Sequence, residues 1–148
     1  MIEPQEIVDE ARTWLGTRFL HQQAVKGHGC DCIGLIRGVA QAKGLVVDAD
    51  IWRRFRNYGR VPNPAHMIEA LRAHLVPVDR GQIQVADILY LEWRSELPTH
   101  LAFVGEFEGR RTLIHALAEA GRVVEHGFVD PWPDRLNSAW RLRIVKVL

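Results

Sequence analysis

The chain has 148 residues, 47% hydrophobic and 25% charged, with a formal net charge of +1. That balance fits a single globular domain spanning residues 1–148, long enough to bury a core without staples, and it offers nucleic acid no overall attraction. Its two cysteines, one residue apart, cannot serve as a disulfide framework for a domain of this size, so reduced thiols are the expectation.

The acidic start, Met1-Ile2-Glu3-Pro4-Gln5-Glu6, leads into no apolar signal-peptide core. No apolar run approaches the ~20 residues of a bilayer-crossing helix. The chain is therefore expected to be made in the cytoplasm, with no membrane span. Residues 5–15 carry Ile7, Val8, Ala11, Trp14 and Leu15 at helical spacing, with Gly16 as the stop. A loop from Ala24 to Gly29 follows. Cys32, Leu35, Ile36, Val39 and Ala40 then mark a second helix that ends near Gly44. Leu45-Val46-Val47 leads into an irregular aromatic and basic stretch, Asp48 to Asn63, with a cluster at Trp52-Arg53-Arg54-Phe55-Arg56. That cluster reads either as a surface loop or as the lining of a groove. Pro64 starts a third helix with Met67, Ile68, Leu71 and Leu75 on one side.

After Pro77 the pattern changes to short β-rich runs: Asp87–Trp93, His100–Val104, Thr112–Ala116, Arg122–His126 and Trp140–Val145. Glu108-Gly109 and Ala120-Gly121 are turn signals, and the last run alternates apolar and basic residues as a strand with one solvated face does. Helices first and consecutive strands afterwards predict an α+β fold, with the cysteine helix packed on an antiparallel sheet.

Asp31 is a plausible N-cap, which puts Cys32 in the first turn of its helix. The helix dipole and the unpaired N–H groups there would favour a thiolate, the state a nucleophile needs. A base must then lie within reach, held by a third group. His100 opens one β-run and His115 lies in the next, so Cys32, His100 and His115 form a candidate Cys-His-His site on a helix end and two neighbouring strands. Buried histidines satisfied by backbone are the alternative for both. A zinc site would want C-x2-4-C and a second pair, and a redox motif C-x-x-C. Neither spacing occurs here, so no metal and no cofactor is expected, and Cys30 reads as a small buried bystander.

Asp31-Cys32-Ile33-Gly34-Leu35 resembles the Asp-Cys-Ser-Gly-Phe/Leu signature of the NlpC-type cell-wall cysteine peptidases, which have a compact papain-like fold. The likeness runs in order through the chain. Trp14–Phe19 is similar to the family's Gly-x-Pro-Tyr segment, Val85–Leu89 to its Pro-Gly-Asp-Leu/Ile strand, Thr99–Val104 to His-Val-Gly-Ile-Tyr, and Ile114-His115-Ala116 to its second His segment. The resemblance implies Cys32 as nucleophile, His100 as base and then acid, and His115 as the orienting residue. The substrate implied is the peptidoglycan stem peptide. Phe19 stands where the family has Tyr and lacks its hydroxyl; His21 or Gln22 is the candidate replacement donor, with Asp31 beside them on the substrate side. The backbone N–H of Cys32 is the expected oxyanion donor. Phe19–Gln22 and Gly29–Val39 most resemble small phage-type members from tails of phages and gene transfer agents. That likeness implies tail hub or tail-tip partners and action in the periplasm or cell wall of a target cell.

Overall fold

The computed structural model describes residues 1–45, 64–92 and 98–148. The stretch 46–63, with its Trp52–Arg56 cluster, lies outside the described residues. Helix α1 (Pro4–Arg12) starts on a proline in its first turn and on a reciprocal capping box between Glu3 and Glu6. It stops three residues short of Leu15, in a turn that passes through Gly16 at φ 85. That turn lays residues 16–19 along the strand β7 (Arg122–Gly127), through Gly16 N–H to Val123 O, Val123 N–H to Thr17 O and Phe19 N–H to Gly121 O. One sheet edge is covered in this way.

The predicted loop at Ala24–Gly29 contains a small hairpin, β1 (Ala24–Val25) with β2 (Gly29–Cys30), which feeds helix α2 (Cys32–Ala42). Helix α3 (Pro64–His74) is followed by β3 (Leu75–Val78), β4 (Ile88–Glu92), β5 (Pro98–Phe107), β6 (Arg110–Leu117), β7 and β8 (Leu136–Leu142). The last six strands form one antiparallel sheet in the order β3-β8-β4-β5-β6-β7. The β5–β6 hairpin turns through Glu108 and Gly109, both at positive φ as a tight two-residue turn requires.

Ile88, Tyr90, Leu101, Phe103, Ile114 and Trp140 face the helices, among them Ile7, Leu35 and Val39. Leu89, Leu91, Ala102, Val104 and Leu113 point to the other face, where Phe128 and Trp132 cover them. Burial on both faces is why Ile88-Leu89-Tyr90-Leu91 is unbroken apolar sequence. The architecture is the α+β arrangement expected.

Two local expectations are corrected. Leu75 does not continue the α3 stripe; the chain is extended from Leu75 because Val76 precedes Pro77, a position that disfavours helix. Pro77 is tolerated because β3 is an edge strand. The final strand runs from Leu136 to Leu142 rather than Trp140 to Val145, and its Arg141 is buried instead of solvated. Its guanidinium grips Asp87 through Nε to Oδ1 at 2.7 Å and a second nitrogen to Oδ2 at 2.8 Å, and donates to Gln82 O at 3.2 Å. Asp87 also accepts the Gln84 N–H at 2.9 Å. Removing one partner strands a charge in the interior. Asp87→Ala is therefore expected to lower the unfolding free energy by about 3–5 kcal/mol in urea titration, and Asp87→Leu/Arg141→Met together to recover most of it.

Candidate active site

The start of α2 is built around Asp31. In extended conformation it caps the helix through Oδ1, which accepts the Gly34 N–H at 2.8 Å. Its Oδ2 accepts the Gln22 N–H at 2.8 Å and lies 3.9 Å from Nδ1 of His21. A side chain on Gly34 would bring its Cβ within 1.9 Å of the Gln23 carbonyl oxygen, so only glycine lets the 20–23 loop lie this close to the helix. Loop and helix end are one unit, and Cys32, the first residue of the helix, is 8% exposed.

The sheet opens where the thiol arrives. Val104 exchanges its backbone bonds with the β4 side, through Ala86 and Asp87, so Phe103 and Leu101 direct their N–H groups toward β6. The β5–β6 ladder ends at the Phe103–Ile114 pair. The next N–H on that side, that of Leu101, goes to the Cys32 sulfur instead, which also takes the N–H groups of Ile33 and Cys32. His100 is the residue before Leu101, so the opening brings the thiol and this imidazole to the same strand end.

On the face opposite the helices, His100 Nε2 lies 2.7 Å from His115 Nδ1, and His115 Nε2 lies 2.8 Å from His126 Nε2. His126 Nδ1 lies 2.9 Å from the Gly127 carbonyl oxygen. The rings step diagonally across β5, β6 and β7, since His115 pairs with Val124 and Leu113 with His126. Trp132 closes the row, 5.0 Å from His115 and 5.2 Å from His126 between ring centroids.

Burial, and then the Asp31 carboxylate, push the Cys32 thiol up to about 12. The sequence-based expectation of a favoured thiolate is thereby corrected: the helix-end N–H groups pull the right way, but less than burial and Asp31 push. Burial, then charge at Arg135 and His126, holds His100 down to about 3. Burial, then charge at His100 and His126, holds His115 down to about 2. At neutral pH Cys32 is a neutral thiol, and His100 and His115 are neutral imidazoles.

Of the other predicted residues, Phe19 is half-buried against the helix-side core and hydrogen-bonds through its backbone to Gly121. His21 and Gln22 are exposed on the loop that Asp31 holds. Asp31 is buried with both oxygens accepting backbone N–H groups, from Gly34 and Gln22, so it organises the loop and is not placed as an oxyanion donor. Cys30 is fully buried, with its thiol also pushed up to about 12 by burial and then Asp31. No cluster of three or more metal-ligating side chains occurs among the described residues. Sequence reasoning missed His126, Trp132 and Tyr90. Tyr90 is fully buried on β4, its phenol raised to about 12 by burial and then by Cys32. The signal for His126 was available, since it sits in a predicted strand next to that of His115; no register was there to align them.

No family model and no curated protein matches the chain, but solved structures do. A protein of the NLP/P60 family, similar to lipoprotein, from Staphylococcus aureus subsp. aureus Mu50 superposes with a TM-score of 0.64 at 21% identity, over 94% of this chain and 41% of its own. The fold is that of the NlpC/P60 proteins. The NlpC/p60 domain of the peptidoglycan hydrolase SagA superposes at 0.64 with 18% identity, over 95% of this chain and 100% of the domain. An NlpC/P60 family protein from Bacillus cereus ATCC 10987 superposes at 0.67 with 17% identity, over 95% of this chain and 40% of its own. The chain thus spans the whole NlpC/p60 domain of SagA but less than half of the two longer proteins.

Two neutral buried histidines make this NlpC/P60 fold acid-sensitive. Unfolded, each takes up a proton near its usual 6.5; folded, neither does until about 3 or 2. Their contribution is complete above pH 6.5 and lost progressively below it, on the order of 1 kcal/mol per pH unit for each. Urea midpoints are expected to fall between pH 7 and pH 5, and to fall less steeply in His115→Gln. Equal midpoints at the two pH values would contradict neutral burial.

Proposed function

We propose that the chain is a cysteine endopeptidase that cuts an amide bond in the stem peptide of peptidoglycan. The observation that supports this reading is the Cys32 sulfur at the β5–β6 opening, within reach of the Leu101 N–H that follows His100, with His100 hydrogen-bonded to His115. The NlpC/P60 likeness, which includes the domain of a peptidoglycan hydrolase, supports the substrate class.

In the proposed reaction His100 takes the thiol proton as Cys32 Sγ attacks the carbonyl carbon, so the ion pair forms with the bond and is not stored beforehand. The carbonyl oxygen becomes an oxyanion, for which the Cys32 N–H at the helix start is the proposed donor. His100 then protonates the leaving amine, and a thioester remains. Water gives a proton to His100, attacks the thioester and releases the acid; the proton returns to the sulfur. His115 holds the His100 ring. The loop 19–22 flanks the substrate side.

The likeness of Phe19–Gln22 and Gly29–Val39 to small phage-type members supports a finer proposal. The enzyme is carried by a phage or gene transfer agent tail, contacts tail hub or tail-tip proteins, and acts in the periplasm or cell wall of the target cell.

Cys32→Ala and His100→Ala are each expected to abolish release of stem fragments from purified sacculi, read by mass spectrometry, while Cys30→Ala keeps most of it. Undiminished release by Cys32→Ala would falsify the mechanism. The raised, nearly buried thiol favours a second reading, a structural tail component with weak or no hydrolysis. Hydrolysis itself separates the two: release of stem fragments that is lost in His100→Ala supports the enzyme, and no release by the unaltered protein supports the structural role.

A further inference from the structure

We infer that His126 is a positioning residue that sets the tautomers of His115 and His100 through one continuous relay, anchored on the Gly127 carbonyl. The inference takes its catalytic meaning from the cysteine-hydrolase reading, but its geometry stands without it. The Gly127 oxygen can only accept, so the 2.9 Å contact puts the proton of His126 on Nδ1. With its single ring proton held on Nδ1, His126 carries its lone pair on Nε2. His115 Nε2, at 2.8 Å, must be the donor, which leaves His115 Nδ1 as an acceptor. His100 Nε2, at 2.7 Å, donates to that nitrogen. Each assignment forces the next, and the relay ends with the lone pair of His100 on Nδ1, the state a base for the Cys32 proton requires.

The surroundings suit a neutral relay. His115 is fully buried and His100 nearly so. Trp132 packs edge-on against His115 at 5.0 Å and tilted against His126 at 5.2 Å, and the Arg135 guanidinium lies 4.7 Å from the Trp132 ring, a positive charge that disfavours a second one on His100. Without an acceptor at position 126, the His115 Nε2 proton loses its partner. The Nδ1–H tautomer of His115 becomes competitive, and it drives His100 to carry its proton on Nδ1, where it cannot accept one from the thiol.

The test is the 15N spectrum of histidine-labelled full-length protein at pH 7.5, without substrate. Protons on Nε2 of His100 and His115 and on Nδ1 of His126 are expected; Nδ1–H on His115 or His100 overturns the relay. His126→Leu should give mixed tautomers at His115 and lower kcat on sacculi at least about tenfold, out of the 10²–10⁴ a positioned base supplies, with KM unchanged. His126→Gln, whose amide oxygen can accept, should restore both. Thermal melting of the two variants separates misfolding from misorientation. Unchanged tautomers at His115 and His100 in a folded His126→Leu protein overturn the proposal. Expected tautomers in a protein that leaves sacculi intact would instead remove the hydrolase reading and keep the relay.

Discussion

The β5–β6 ladder stops at the Phe103–Ile114 pair, and the rest of the site depends on that stop. Continued pairing would have used the Leu101 N–H within the sheet and closed the space that the Cys32 sulfur occupies. Because the ladder ends there, the Cys32 sulfur from the helix side reaches the Leu101 N–H, at the strand end that also carries His100. The Asp31 carboxylate works with this constraint from the other direction, fixing the helix start and the 20–23 loop through Gly34 and Gln22 at 2.8 Å each.

The interior pays for its polar groups in two different ways. Asp87 and Arg141 stay charged, because a bidentate guanidinium–carboxylate pair at 2.7 and 2.8 Å satisfies both partners. His100 and His115 stay neutral, because burial disfavours their charged forms, and a neutral imidazole can both donate and accept along the row. The charged pair ties β8 to the residue that leads into β4. The neutral row keeps its acceptor end only while it remains uncharged.

The cysteine illustrates how context overrides a local rule. A helix N-terminus lowers a thiol pKa where the group is exposed to solvent. Here the same N–H groups reach the sulfur, yet a side chain 8% exposed beside a buried carboxylate is raised instead. A thiol so placed holds its proton at rest, and under the proposed mechanism that makes the tautomer of His100 matter more than a standing thiolate.

Helical spacing from Ile7 to Ala11 and from Cys32 to Ala40, and the short β-rich runs after Pro77, determined the α+β class and the positions of most elements from the sequence alone. The N-cap at Asp31 was legible too, since capping is settled within one turn of chain. What depends on sequence-distant partners was not. Arg141 reads as solvated until Asp87, fifty-four positions away, is seen to meet it. The hairpin at Ala24–Cys30 is too short to leave a period. His126 is one more polar residue in a strand until the register of β6 and β7 sets it diagonally from His115. Periodicity and capping are local properties and survive in the sequence. Strand register, the place where a ladder ends, and the charge state of a buried group arise only when distant segments pack, and only the tertiary structure decides them.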